Sequence, residues 1–240
     1  MIKLGVSGAL GKMGGRILAL AAKDEDFQVV LALERISHPE IGTKVSGLDV
    51  VSSLDAIRQV DGLIEFTSPE ATLEHLSYAA KYKKAMVIGT TGFTEGQIAK
   101  IVLAAKSIPI VFSPNMSIGV NLFFELVREA ASRLPQEYKV RMSEAHHVHK
   151  KDAPSGTARL LLDLLRRERR QQEIDIKSLR EGEIIGDHDV IFEGPLDTLK
   201  FSHSAKSRDI FAHGALEALK FVVKKKSGLY AMADVLKRSR

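Results

Sequence analysis

The sequence predicts an α/β protein: a doubly wound parallel sheet first, then a second region of α+β character. Three observations predict this. Short β-branched runs alternate with amphipathic stretches through the first half, a glycine-rich turn joins the first strand to the first helix, and the alternation stops near residue 115. The strand runs are IKLGVS at 2–7, QVVLAL at 28–33, GLIEFT at 62–67, AMVIGT at 85–90 and IPIVFS at 108–113. Between them apolar residues recur at helical spacing, as in Ile17, Leu20 and Ala21, then Leu73, Leu76 and Ala80, then Ile98, Ile101, Val102 and Ala105. Beyond residue 115 the pattern predicts a helix over 121–132, a strand over 138–142 and a polar loop rich in histidine and lysine. A helix starting near Ser155, short strands at 176–180, 189–193 and 198–204, and a helix over 210–224 follow. We therefore expect a dinucleotide-binding domain over 1–115, with 214–240 packing back onto it, and a substrate-binding and oligomerisation domain over 116–213.

Composition narrows the chemistry. The 240 residues are 45% hydrophobic and 27% charged, which is globular composition and excludes disordered and collagen-like classes. No run approaches the length of a membrane span, and Met1 leads straight into a strand-like stretch rather than a secretory leader, so a soluble cytoplasmic protein is expected. Cysteine is absent, which excludes disulfides, thiolate metal sites and cysteine nucleophiles. The formal charge is +5. Residues 1–113 carry 12 basic and 12 acidic side chains, so the whole excess lies downstream. Its densest runs are Arg166, Arg167, Arg169 and Arg170, and Lys224, Lys225 and Lys226, each at the end of an expected helix. Cations there complement the helix dipole, and solvated helix ends explain them better than nucleic-acid binding, for which no motif is present.

Gly8, Gly11 and Gly14 sit directly after the first strand and open the first helix. Glycine there lets the backbone approach a pyrophosphate, whose charge is met by the N–H groups of the helix N-terminus. The spacing is GxxGxxG rather than GxGxxG, and glycines at such a turn also have plain turn chemistry as an explanation. Glu34, at the end of the second strand and twenty positions past Gly14, favours the cofactor over the alternative of an exposed charge pair at a strand end: an acid there meets the ribose hydroxyls of a Rossmann-like domain. Arg35 follows it and suits a 2′-phosphate, so NADH and NADPH are both expected to fit. Lys12 offers a second phosphate contact as a point charge.

The segment Ser143-Glu-Ala-His-His-Val-His-Lys-Lys-Asp-Ala-Pro-Ser-Gly-Thr-Ala158 holds three of the eight histidines within four residues. A metal site is one reading. However, His146, His147 and His149 fall in a strand-to-loop passage with no fixed common face, and no HxxxH pair lies on a helix, so no metal is expected. Proton transfer fits better, because imidazole titrates near neutrality and Lys150 adds a cation beside it. Ser155 is a natural N-cap, and Gly156 and Thr157 behind it make a carboxylate site at a helix N-terminus. Cation, imidazole and helix end together suggest a small anion with more than one carboxylate. A solvated basic loop capped into a helix is the plainer alternative.

Together with GALGKMG, LER, EFTSPEAT, GTTGF, SPNMSIGVN, SLREGEIIGDHDVIF and FAHGAL, taken in order, that segment resembles the dihydrodipicolinate (4-hydroxy-tetrahydrodipicolinate) reductase family over nearly the whole chain. The resemblance implies that His146 is the proton donor and that Lys150 assists it and binds substrate, with His147, Gly156 and Thr157 as further substrate contacts. It implies cofactor contacts at Gly8, Ala9, Leu10, Gly11, Lys12 and Met13, at Glu34 and Arg35, and at Gly89, Thr90 and Thr91. Ser113, Pro114, Asn115 and Met116 make a last cofactor segment, placed where a hinge between domains belongs. Lys12 stands where many relatives have arginine, and the segment 170–200 is short for the family. The implied reaction reduces a cyclic imine dicarboxylate to tetrahydrodipicolinate, on the way to diaminopimelate and lysine, in a homotetramer. Two other readings share the first domain: a different two-domain nicotinamide dehydrogenase, and a non-catalytic nucleotide sensor.

Overall fold

The computed structural model describes residues 1–170 and 173–237, arranged as two compact units. One unit comprises Met1–Ile118 and the chain from Phe211 onward; the other is Gly119–Ile210.

The first unit is a parallel sheet between two helical layers. Its elements run β1 (Ile2–Ser7), α1 (Lys12–Ala21), β2 (Phe27–Leu33), β3 (Lys44–Val45), β4 (Leu48–Val51), β5 (Gly62–Glu65), α2 (Pro69–Lys81), β6 (Ala85–Ile88), α3 (Glu95–Ala104) and β7 (Pro109–Phe112). A 3-10 turn at Leu54–Gln59 precedes β5. The strand order is β12-β7-β6-β5-β1-β2-β4-β3, where β12 (Gly228–Tyr230) returns from the C-terminal segment to lie parallel to β7. All five strands expected from sequence are present, although those expected over 62–67, 85–90 and 108–113 stop one or two residues sooner. The sequence pattern does not mark β3, β4 and β12. β3 and β4 form a tight hairpin whose central pair, Ser46 and Gly47, has φ of 49° and 81°, the two positive values that a twisted two-residue turn requires. With strands so short, periodicity has nothing to repeat.

Alternation along the central strands explains the two-sided core. Val87 and Val111 face one layer with Leu4, Val6 and Ile64, against Ile17 and Leu18 of α1 and Leu216 and Leu219 of α6 (Asp209–Val222). Met86, Ile88 and Ile110 face the other with Leu63, against Leu76 of α2 and Ile101 of α3. Strands buried on both faces read as continuous apolar runs, which is why they were legible in the sequence. A short helix α7 (Met232–Leu236) adds Met232 to the first layer.

The second unit is a four-stranded sheet covered on one face by helices. α4 (Ile118–Arg133), β8 (Lys139–His146), α5 (Gly156–Glu168), β9 (Asp175–Arg180), β10 (Asp187–Glu193) and β11 (Thr198–Ser204) follow in order, and the strands lie β11-β10-β8-β9, with only β8 and β9 parallel. Phe123 and Val127 of α4 and Leu161 and Leu165 of α5 pack on Val140, Met142, Val190 and Phe192. One expectation is corrected. Arg169 is not a solvated helix end but fully buried: its guanidinium donates to the carbonyls of Leu134 (2.7 Å), Pro135 (3.0 Å) and Tyr138 (3.4 Å) where the chain leaves α4. Arg166, Arg167 and Arg170 are exposed, as expected.

Candidate active site

In the first unit a cleft of about 510 Å³ opens at the C-terminal ends of the strands, where doubly wound sheets bind ligands. Gly8, Leu10, Gly11, Glu34 and Arg35 line it, together with His75. Gly8 has φ +68°, and a Cβ on Gly14 would lie 2.0 Å from the Gly8 carbonyl oxygen, so the turn and α1 meet at a distance only glycine allows. The carboxylate of Glu34 accepts from the backbone N–H of Leu10 (3.3 Å) and of Arg35 (3.1 Å), which fixes it at the rim between the glycine turn and the arginine. A glycine turn at a helix N-terminus, an acid at the end of β2 and a cleft joining them fit a dinucleotide. Of the other expected contacts, Ala9 is buried behind the turn, while Lys12 is exposed and Met13 half-buried at the start of α1.

The remaining expected contacts sit at the ends of β6 and β7, outside the cleft lining. Gly89 and Thr90 are buried and Thr91 is exposed. The Thr90 hydroxyl accepts from the Thr67 N–H at 3.1 Å and lies 2.9 Å from that of Thr72. Ser113, Asn115 and Met116 are buried and Pro114 exposed, with the Ser113 hydroxyl donating to the Asn115 carbonyl at 2.8 Å.

Sequence reasoning missed the wall of this cleft. Glu65, fully buried at the end of β5, bonds His75 Nδ1 at 2.6 Å and accepts from the Thr67 hydroxyl, and Ser7 Oγ lies 2.9 Å from the same imidazole nitrogen. The available signal was a lone acid in an apolar strand run. Because Glu65 and Ser7 share one nitrogen, the trio is not a nucleophile-base-acid relay, in which the base would use both.

In the second unit, the alternation of β8 carries straight from core to chemistry. Val140, Met142, Glu144 and His146 occupy successive inward positions. The strand therefore runs beyond the expected 138–142, and its pairing with β9 continues to His146 opposite Arg180. Glu144 is fully buried: one oxygen bonds His146 Nδ1, and the other accepts from the Ser155 N–H (3.3 Å) and from Arg180 Nη2 (2.9 Å). An ionised carboxylate only accepts, so Nδ1 carries a hydrogen and Nε2 is the nitrogen that gains and loses the proton. Gly186 packs against it, and a Cβ there would lie 3.0 Å from Nε2, so any larger residue would crowd that nitrogen.

The electrostatics are layered. Burial pushes the Glu144 carboxyl up, but hydrogen bonds from Arg180, Ser178 and His146 outweigh it and hold the group below the usual range. Burial pushes His146 below the ordinary imidazole value, opposed by Glu144 and reinforced by Lys150 and Arg180. His188, its ring 5.4 Å from that of His146, is driven down to about 4 by burial and then by the charge of His146. It stays neutral at pH 7, with its Nε2 hydrogen-bonded to the Ser155 hydroxyl at 3.3 Å.

That burial makes a stability prediction. The unfolded chain protonates His188 near the ordinary 6.5 and the native state near 4, so between those values the unfolded state binds more protons and stability falls as pH is lowered. By pH 5 the loss is about 2 kcal/mol. Urea unfolding at pH 7 and pH 5 should show this difference in the wild type and a smaller one, by about that amount, in His188→Leu; equal differences would refute it.

Beyond β8, His147 lies 3.4 Å from Arg208 Nη2, and Lys150 Nζ is 2.8 Å from Asp152 Oδ1, which that ammonium holds below its usual pKa. Ser155 caps α5 by accepting from the Ala158 N–H at 3.1 Å, Gly156 opens the helix where an added Cβ would meet nothing within 4 Å, and Thr157 is half-buried behind it. His149 is exposed, 3.9 Å from Glu183. The structure thus brings His146, Glu144, Ser155 and Arg180 into one bonded cluster, of which only His146 and Ser155 were singled out from sequence. Glu144 was available to period-2 counting back from Val140; Arg180 and His188 come from distant strands, and no local pattern marks them.

Residues 2–116 match the family model described as dihydrodipicolinate reductase, N-terminus, and residues 119–236 the one described as dihydrodipicolinate reductase, C-terminus. The chain belongs to the dihydrodipicolinate reductase family. Relatives named 4-hydroxy-tetrahydrodipicolinate reductase include that of Geotalea uraniireducens (strain Rf4), 39% identical over an alignment covering 98% of this chain and 99% of that protein. That of Anaeromyxobacter sp. (strain Fw109-5) is 40% identical, covering 98% of each. A dipicolinate-bound dihydrodipicolinate reductase from Paenisporosarcina sp. TG-14 shares the reductase fold at a TM-score of 0.84 and 24% identity, over 96% of this chain and 97% of that one.

Proposed function

We propose that the chain reduces 4-hydroxy-tetrahydrodipicolinate, which loses one water along the way, or the dehydrated ring already derived from it, to tetrahydrodipicolinate in diaminopimelate and lysine biosynthesis. The observation that carries this reading is the buried Glu144 bonded to His146 Nδ1, which leaves Nε2 as the exchanging nitrogen. Gly8, Leu10, Gly11, Glu34 and Arg35 would hold the pyrophosphate and adenosine ribose of a reduced nicotinamide dinucleotide, which would supply the hydride. Hydride addition to the unsaturated ring leaves an enamine, and the imidazolium of His146 gives its Nε2 proton to the ring carbon, ending as the neutral Nδ1–H tautomer. Lys150 and the N-terminal turn of α5 at Gly156 and Thr157, with His147, hold the substrate carboxylates. Asp152 fixes the Lys150 ammonium in place.

The reading extends to a cytoplasmic homotetramer assembled through the second unit's sheet. Its support is the family resemblance.

Oxidation of NADH and of NADPH by the purified protein, with substrate generated from pyruvate and aspartate semialdehyde by the preceding synthase, tests the activity. Turnover blocked by pyridine-2,6-dicarboxylate supports it; a folded protein that binds cofactor without turnover rejects it. Both cofactors fit the rim, since Glu34 suits ribose hydroxyls and the exposed Arg35 a 2′-phosphate. Arg35→Ala is expected to weaken NADPH by about tenfold or more and NADH little, as for the loss of one charge-assisted contact. Equal losses for both would remove Arg35 from phosphate recognition.

A further inference from the structure

We propose that Arg180 is a positioning residue that ties the proton donor and the substrate-binding lysine loop into one unit; this rests on the functional reading above. Arg180 closes β9 and pairs in register with His146. Its side chain is 19% exposed and, besides the carbonyl of its neighbour Leu179, reaches three targets outside β9. Nη2 donates to Glu144 Oε1 at 2.9 Å and to the carbonyl of Asp152, and Nε donates to the carbonyl of Lys150 at 3.2 Å. One planar group therefore fixes the carboxylate that orients His146 and the backbone that carries Lys150 and Asp152.

The geometry asks for a guanidinium rather than merely a charge. Glu144 is fully buried and needs a counter-charge, which any cation would supply. The two loop carbonyls need donors at fixed angles to that same carboxylate, and only a fork with several N–H groups serves all three at once. The ionisable groups around Arg180 are Glu144 and His146 on β8 and Lys150 and Asp152 on the loop, while His188 on β10 faces His146. Among them Arg180 opposes protonation of His146 while sustaining ionisation of Glu144. Without it, the buried carboxylate relies on the imidazolium, which then binds its proton more tightly.

Two variants of the full chain separate the functions. Arg180→Lys keeps the charge and loses the fork: the substrate KM is expected to rise about tenfold, while cofactor affinity and the pH at which kcat/KM declines stay at their wild-type values. Arg180→Gln loses both, and the His146 titration, followed by NMR on histidine-labelled protein and assigned with His146→Gln, is expected to move up by about one unit. A wild-type KM in Arg180→Lys overturns the proposal, as does an unmoved His146 titration in Arg180→Gln. If Arg180→Gln fails to fold, the Arg180→Lys KM decides alone. The NMR readout needs no turnover, so an inactive wild type would sink the functional reading, while an unmoved titration would sink this one.

Discussion

Turnover of the His146→Gln protein is expected to fall by about 10²–10⁴-fold, the usual contribution of a positioned general acid, while NADH and NADPH bind as in the wild type. Glutamine is close in size and its amide can still donate to Glu144, so the buried carboxylate keeps a partner and the fold is preserved. What is lost is the exchangeable proton on Nε2. The pH profile provides a second, independent readout. In the proposed mechanism His146 acts in its protonated form, and burial holds its pKa below the ordinary value, so kcat/KM of the wild type is expected to decline as pH rises through that depressed pKa. The declining limb should be absent from His146→Gln. An unchanged rate, or a limb that persists in the variant, would assign the proton to another group.

The contrast between His146 and Glu144 shows what a sequence makes legible. His146 stands out because histidine near a lysine in a polar segment is chemically conspicuous. Glu144 does not, because an acid two residues before a histidine has no meaning until the strand is known to run past Met142. Once β8 is extended to His146, simple alternation places both side chains on the buried face. Arg180 and His188 are further out of reach, for their bonds to the cluster join strands 36 and 33 positions away from their partners. Arg169 makes the same point for the fold. By composition it is one of four arginines at a helix end, and only the turn that leaves α4 puts three carbonyls around it. The parallel sheet was legible because double-sided burial writes continuous apolar runs, whereas β3, β4 and β12 are fixed by a two-residue turn and by tertiary pairing with β7.

The glycine turn admits a sharper test than removal of any side chain, because two adjacent glycines should respond in opposite ways. A Cβ on Gly14 would lie 2.0 Å from the Gly8 oxygen, 2.7 Å from its carbonyl carbon and 2.9 Å from Ala9 Cα. All three are backbone atoms, so no rotamer change relieves the overlap. Either α1 lifts from the sheet, opening the layer that buries Ile17 and Leu18, or the turn moves and its N–H groups lose their aim. Gly14→Ala is therefore expected to cost about 1–3 kcal/mol of stability, or roughly 2–9 °C in thermal midpoint. Affinity for NADH and NADPH should fall together by about 10–100-fold, since the pyrophosphate is common to both. Gly15 is one residue further along the same helix, where a Cβ would find only the Ala9 oxygen, at 4.0 Å. Gly15→Ala should stabilise the protein by up to about 1 kcal/mol through helix propensity and leave cofactor binding unchanged. Thermal melts and fluorescence titrations with both nucleotides decide the matter: if the two alanines behave alike, close approach at Gly14 is not what shapes the cofactor turn.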